Sequence, residues 1–157
     1  MTDTDYRLLR SQLIALIDDE TDALANASNF VGFLYHAIDD VNWLGIYVLR
    51  GNELVLGPFQ GKPACVRIAV GVGVCGAAAA TLETQRVADV DAFPGHIVCD
   101  ANSRSELVVP LLFHDRLVGV LDIDSPTQDR FTAYDQEGIE SLCNAYCEMH
   151  VQHDGFI

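Results

Sequence analysis

Basic residues are scarce in this sequence. Its 157 residues include 9 Lys and Arg against 23 Asp and Glu, so the formal net charge is −14. A surface this negative repels phosphate groups, which argues against nucleic acid and anionic membranes as partners. It suits instead a cationic ligand or a cationic patch on a protein partner.

Long apolar runs are missing as well. None reaches the roughly 18 residues that a membrane-spanning helix needs, and the acidic start Met1-Thr2-Asp3-Thr4-Asp5 lacks the basic-then-apolar order of a signal peptide. We therefore expect a cytoplasmic protein. Half of the residues are hydrophobic, which permits a sizeable core and excludes disorder as the main state. The length predicts a single domain over residues 1–157.

The cysteine pattern is also defined by what it lacks. There are five cysteines, an odd number that argues against a structural disulfide framework in a reducing compartment. No Cys-x-x-Cys pair is present, which removes the simplest thioredoxin-like and zinc-ribbon interpretations. Cys143 and Cys147, followed by His150 on the same helix face, could bind a metal. This spacing is more typical of a helix that packs its small apolar face, and we predict no metal.

Hydrophobic periodicity predicts helices at both ends of the chain and hairpins between them. The predicted helices are a first one capped by Asp3 or Thr4, then about 28–39, 74–82 and 132–150. The predicted strands are 43–50, 53–59, 66–70, 87–88, 107–113 and 117–123. Because hairpins pair antiparallel strands, the pattern predicts an α+β fold with a mainly antiparallel sheet and helices packed on it.

Cys99 lies in a predicted loop over residues 89–103. The thiol either fills space or does chemistry, and a loop this long inside a compact domain usually has a function. A free thiol has a pKa of about 8.5, so only a few per cent is thiolate at neutral pH. Asp100 would lower that fraction, and a protonated His96 would offset it. Such a thiol needs a substrate that a proton activates.

Three acidic residues are predicted to meet at one end of the sheet. Asp122 and Asp124 are two apart on one strand, so their side chains share a face. Glu106 opens the preceding strand and would enter the sheet beside them. Each could instead be a solvated strand end. Together they would bind an ammonium group, and a raised pKa on one would provide a proton donor near neutral pH.

Two aromatic residues share a face of the first predicted strand. Trp43 and Tyr47 are four apart, which fits two interpretations. They are either core residues or the apolar wall of a small pocket, which typically combines aromatic walls with a few polar groups.

Several stretches together resemble a known family. The helix-helix-hairpin start and the runs at 107–113 (LVVPLLF) and 117–122 (LVGVLD) resemble a GAF domain. A sharper resemblance, to the free methionine-(R)-sulfoxide reductases, rests on five motifs and on the spacing of Cys65, Cys75 and Cys99. The motifs are 71–76 (GVGVCG), 89–90 (DV), 93–100 (FPGHIVCD), 103–106 (SRSE) and 121–125 (LDIDS).

This resemblance implies a role for each matching residue. Cys99 corresponds to the nucleophile that attacks the sulfoxide sulfur, Cys65 to the principal resolving thiol and Cys75 to a third thiol that assists or relays. The acids lining the substrate site correspond to Glu106, Asp122 and Asp124, with Glu106 our first choice as proton donor. Its aromatic residues correspond to Trp43 and Tyr47.

The resemblance also implies the reaction and its partners. Free methionine sulfoxide would be reduced through a Cys99 sulfenic acid and an intramolecular disulfide, which thioredoxin would recycle. No metal or organic cofactor is required, and the family is commonly homodimeric. Two other functions stay open: a GAF module that binds a small ligand and signals, and a thiol redox sensor without a small substrate. A sensor would not need both the cysteines and the acids.

Overall fold

Four helices surround one sheet in the computed structural model, which describes residues 3–97, 99–150 and 157. The helices are α1 (Tyr6–Ile17), α2 (Ala23–Ala37), α3 (Gly73–Thr81) and α4 (Ala133–His150). The strands are β1 (Trp43–Arg50), β2 (Glu53–Gln60), β3 (Arg67–Ala69), β4 (Gln85–Val87), β5 (Ser105–Phe113) and β6 (Arg116–Ser125). No helix in the described ranges is both long enough and apolar enough to cross a membrane.

The six strands form one sheet in the order β3-β2-β1-β6-β5-β4. Every neighbouring pair is antiparallel, and the two predicted hairpins, β1 with β2 and β5 with β6, are both present. The predicted α+β class with a mainly antiparallel sheet is therefore confirmed. Because β6 pairs with both β1 and β5, residues from all three strands meet at the middle of the sheet.

The two faces of the sheet have different partners. One face packs against α2 and α4, with α1 packed against these two helices in the same core, and its strand residues are apolar, as at Leu44, Ile46 and Leu121. The opposite face packs against α3 and carries Trp43 and Tyr47. Side chains alternate between faces along a strand. The acidic residues of β5 and β6 therefore lie on the α3 face, and their neighbours in sequence point into the larger core on the other face.

The first two helices begin at other residues than predicted. The carboxylate of Asp5, rather than Asp3 or Thr4, caps α1 by accepting a hydrogen bond of 3.0 Å from the Leu8 amide. The second helix begins at Ala23 rather than near residue 28, because Asp22 caps it through the Ala25 amide at 2.8 Å. Hydrophobic periodicity predicted too short a helix, because the apolar and polar residues of its first turn do not separate clearly onto two faces.

The segment between α3 and β5 is less regular than the rest. The edge strand β4 occupies Gln85–Val87 rather than 87–88. The predicted loop that follows contains a short 3₁₀ helix, Val90–Ala92. The Asp89 carboxylate caps this helix by accepting a hydrogen bond from the Asp91 amide. A loop that is anchored in this way holds its later residues, among them Cys99, over the α3 face of the sheet.

A buried polar contact joins the two ends of the described chain. The Tyr6 hydroxyl of α1 donates to the Asp135 carboxylate of α4 at 2.6 Å. The same carboxylate accepts from the amide and hydroxyl of Thr132 and from Arg130. Burial would raise the pKa of Asp135, but these donors outweigh it and hold the pKa below its usual range. Thr132 and Asp135 thus form a capping box at the start of α4, which is also a docking point for α1.

We expect Tyr6→Phe to lower the free energy of unfolding by about 1.5–3 kcal/mol at pH 7, because it removes a buried hydrogen bond to a charged group. The loss is measured by urea denaturation. Since the folded pKa of Asp135 is depressed, its contribution is present above the unfolded pKa of about 3.9 and fades as the pH falls through the folded value. The matched control is Tyr134→Phe, whose exposed hydroxyl bonds to the Thr4 carbonyl; an equal loss there would contradict the assignment.

Candidate active site

Three carboxyl groups lie side by side on the α3 face of the sheet. In the strand register Glu106 of β5 is opposite Asp124 of β6, and Asp124 is opposite Trp43 of β1. Asp122 lies one row further along, opposite Gly45. Glu106 and Asp122 are 5% and 6% exposed, and Asp124 is partly buried. The predicted convergence of the three acids is therefore present.

These acids line a pocket between the sheet, α3 and the Cys99 loop. Cys75, His96, Cys99 and Tyr47 line it as well. A smaller hollow adjoins it and is lined by Trp43, Tyr47, Cys99, Asp122 and Asp124, among others. The pocket thus has acidic side chains on its floor, cysteine side chains beside them and an aromatic wall. These are the elements of a binding site for a small molecule with a cationic group.

Burial changes the protonation of the acids. It raises the pKa of Glu106, Asp122 and Asp124 well above the usual range for carboxyl groups, and repulsion between the neighbouring acids raises them further. A neutral carboxyl can donate a proton, and an ionised one can bind a cation, so this cluster holds both functions in one place.

His96 reaches this cluster from the Cys99 loop. Its Nε2 lies 3.4 Å from a carboxyl oxygen of Glu106, and both side chains are largely buried. Burial lowers the pKa of His96, although Asp91 acts in the opposite direction. Because burial also raises the pKa of Glu106, the surroundings disfavour the charged form of both partners in this contact. We predicted no position for His96 in the site; its place three residues before Cys99 was the available indication.

Cys65 and Cys99 are joined by a disulfide, with their Cα atoms 5.8 Å apart. Cys99 lies at the pocket and at the adjoining hollow, while Cys65 belongs to the segment between β2 and β3. Two of the three predicted catalytic thiols are thus within bonding distance of each other, over the acids.

Cys75, the third thiol, lies on the first turns of α3 and is buried. Two glycines allow α3 to pack closely against the Cys99 loop and against the end of β3. Gly73 has a positive φ of 66°, and an added Cβ would lie 3.1 Å from the Ile97 side chain. At Gly76 a Cβ would come within 2.6 Å of the Ala69 carbonyl oxygen. Burial raises the pKa of the Cys75 thiol well above its usual value, and the negative charges of Asp122 and Glu106 add to this.

The two aromatic residues do more than form a wall. The Trp43 indole N–H donates to the Lys62 carbonyl at 3.0 Å, and the Tyr47 hydroxyl donates to the Cys65 carbonyl at 2.8 Å. Both side chains are almost fully buried. They therefore fix the backbone of residues 62–65 and with it the position of Cys65, a role that spacing on a strand could not predict.

The remaining cysteines lie elsewhere. Cys143 and Cys147 of α4 are buried in the larger core on the other face of the sheet. Burial raises the pKa of both thiols, that of Cys147 to about 12. The predicted packing role for this helix face is confirmed for the two cysteines. The side chain of His150 lies outside the described residues.

Comparison with known proteins agrees with this architecture. The GAF domain family model matches residues 10–146, so the chain belongs to the GAF domain family. A relative from Escherichia coli (strain K12) named free methionine-R-sulfoxide reductase is 50% identical and covers 87% of this chain and 83% of its own. A relative of the same name from Saccharomyces cerevisiae (strain ATCC 204508 / S288c) is 45% identical, covering 81% and 75%.

Solved structures give the same result. The fRMsr of Staphylococcus aureus, solved in complex with substrate, superposes with a TM-score of 0.90 at 48% sequence identity, covering 95% of this chain and 97% of that one. Within the GAF domain family the chain therefore belongs to the free methionine-R-sulfoxide reductases, which are oxidoreductases.

The acid cluster should weaken the fold at neutral pH. When the folded pKa of a carboxyl is raised, the unfolded chain loses the proton first, so stability falls as the pH rises from about 3.9 toward the folded pKa. We expect Asp124→Asn to raise the free energy of unfolding at pH 8 by about 1 kcal/mol or more, or about 2–4 °C in melting temperature, with little gain at pH 4.

The matched control is Asp39→Asn, which makes the same charge change at an exposed position. Both variants are compared with the Cys65–Cys99 disulfide intact, by calorimetry at the two pH values. A destabilised Asp124→Asn at pH 8, or an equal gain for Asp39→Asn, would show that burial of Asp124 carries no such cost.

Proposed function

We propose that this protein reduces free L-methionine (R)-sulfoxide to L-methionine, with Cys99 as nucleophile. The observation that carries the proposal is the pairing of Cys99 with Cys65 directly over three buried acids. The activity and the R preference are taken from the names of the relatives. Neither a binding module nor a thiol sensor requires a redox pair and an acid cluster in the same pocket.

The first step joins the thiol to the sulfoxide. A sulfoxide sulfur becomes electrophilic when its oxygen is protonated, and Glu106 is the proton donor, because burial raises the pKa of this carboxyl well above its usual range. His96 bonds to the same carboxyl and keeps it oriented. Proton donation of this kind compensates for the small thiolate fraction expected of a cysteine in acidic surroundings.

The second step returns the cysteines to a stable state. Attack of Cys99 on sulfur transfers the oxygen, which releases methionine and leaves a sulfenic acid on Cys99. The Cys65 thiol then displaces water from the sulfenic acid and forms the disulfide. A dithiol protein, thioredoxin, reduces the disulfide by exchange and restores both thiols. Cys75, which lines the same pocket, is a reserve thiol that assists when Cys65 is not available.

The acids also account for preference for the free amino acid. Asp122 and Asp124 pair with the ammonium group, which a methionine sulfoxide within a peptide does not have. Asp122 supports this role because its Oδ1 is buried and makes no hydrogen bond within the described residues. A ligand that lacks the ammonium would leave this oxygen without a partner, and such a loss discriminates strongly between ligands.

Cysteine variants test the order of events. We expect Cys99→Ser to lose essentially all turnover of free methionine sulfoxide with thioredoxin as reductant. Cys65→Ser should release about one methionine per chain in a burst and then turn over slowly, since only Cys75, whose thiol pKa is raised by burial, remains to resolve the sulfenic acid. Product is followed by chiral chromatography of the racemic substrate. Cys143→Ser, in the larger core, is the control and should cycle normally.

The outcomes are distinct. Multiple turnovers by Cys99→Ser would refute the nucleophile. Normal cycling by Cys65→Ser would make Cys75 the resolving thiol. A wild-type protein that forms the disulfide with peroxide yet does not release methionine would favour the redox sensor.

The proton donor is tested by Glu106→Gln. We expect kcat to fall by about 10²–10⁴-fold, the usual contribution of general acid catalysis, with a smaller change in KM. In the wild type the rate should decline as the pH rises through the raised pKa of Glu106, because the donor loses its proton. That limb of the pH profile should vanish in Glu106→Gln. A loss confined to KM would make Glu106 a binding residue.

A further inference from the structure

The deepest part of the pocket brings three metal-binding groups together. One ligand atom each from Cys75, Glu106 and Asp122 lies within 4.8 Å of the other two, and all three residues are buried. They come from α3, β5 and β6, so the sheet and the packing of α3 fix their separation. Cys75 is outside the disulfide, so its sulfur is free to coordinate in either redox state of the Cys65–Cys99 pair.

A second observation indicates that this cluster has capacity for a cation. Asp122 is 6% exposed, and its Oδ1 makes no hydrogen bond within the part of the chain that the structure describes. Glu106 and the Cys75 thiol both influence the pKa of Asp122, but neither provides a hydrogen bond to Oδ1. A buried carboxylate oxygen without a donor is costly, and a metal ion at this point would satisfy it.

The donor set selects among metals. One thiolate and two carboxylates suit Zn²⁺, which takes sulfur at about 2.3 Å and oxygen at about 2.0–2.2 Å and is commonly held by three protein ligands plus water. Mg²⁺ and Ca²⁺ prefer oxygen ligands alone. The net charge of −14 favours any cation, but only the sulfur favours zinc over the hard ions.

We propose that Cys75, Glu106 and Asp122 form a zinc-binding site and that zinc and the sulfoxide substrate exclude one another from the pocket. The second half rests on the proposed function, since the same two acids are assigned there to the substrate. Binding displaces the thiol proton and any protons on the two carboxyl groups into solvent, so the ion is held by one thiolate and two carboxylates and the occupied site keeps one net negative charge. Zinc would thus be a reversible inhibitor that leaves the disulfide pair untouched.

The binding test uses the oxidised protein, in which Cys65 and Cys99 cannot act as ligands. After treatment with a chelator and its removal, Zn²⁺ is titrated by calorimetry. We expect one ion per chain, a Kd in the micromolar range or tighter, and weakening by at least about tenfold in Cys75→Ser and in Asp122→Asn. Cys143→Ser is the control: it removes one of the two buried thiols of α4, in the other core, and should bind zinc as the wild type does.

Cadmium provides a second readout, which reports thiolate ligation directly. Cd²⁺ bound to a thiolate gives an ultraviolet charge-transfer band, and one equivalent should produce it in the oxidised wild type and in Cys143→Ser but not in Cys75→Ser or Cys75→Ala. Absence of the band in the wild type, or zinc affinity that is unchanged in both Cys75 variants, would overturn the site.

Exclusion is tested in Cys65→Ser/Cys99→Ser, which can neither turn over nor form the disulfide. The zinc titration is repeated with saturating free methionine sulfoxide, and the apparent Kd should rise at least tenfold. An unchanged Kd, with methionine sulfoxide shown to bind, would overturn the exclusion. If methionine sulfoxide does not bind at all, the proposed function fails, while the zinc and cadmium titrations still decide the metal site.

Discussion

Burial of three carboxyl groups on one face of the sheet is the constraint on which the site depends. Ionised acids at this depth repel one another and lose hydration, so their protons are retained and their pKa values rise. The cost to the fold is offset elsewhere. The opposite face carries the larger core, built by α1, α2 and α4, so stability and chemistry are assigned to different sides of the same strands.

The sheet itself makes this separation possible. Because side chains alternate along β6, Leu121 and Ile123 enter the larger core while Asp122 and Asp124 face the pocket. The antiparallel register then brings Glu106 beside Asp124. A shift of one residue in β6 would place both aspartates in the apolar core, which would be far more costly than their present position. The apolar face thus fixes the register that assembles the acids.

This alternation explains why part of the site could be predicted from the sequence. The shared face of Asp122 and Asp124, and the approach of Glu106, follow from strand periodicity and a short hairpin. Contacts between distant segments do not follow from any local pattern. The bond from Tyr47 to the Cys65 carbonyl and the contact of His96 with Glu106 depend on how two loops cross the sheet. The start of α2 depended on an Asp22 cap inside an acidic run.

The proposed chemistry requires one acid with a proton and another without, and a coupled cluster meets both needs at one pH. Ionisation of the first carboxyl raises the pKa of its neighbours, so a charged and a neutral group coexist over a wider range than for isolated acids. An entering ammonium would stabilise the charged form of Asp122 or Asp124 and so oppose their effect on Glu106. The Cys75 thiol lies against the same charges and keeps its proton. In the proposed chemistry this thiol does not attack the substrate and remains available to a sulfenic acid or a metal ion, which would account for a third cysteine beside the redox pair.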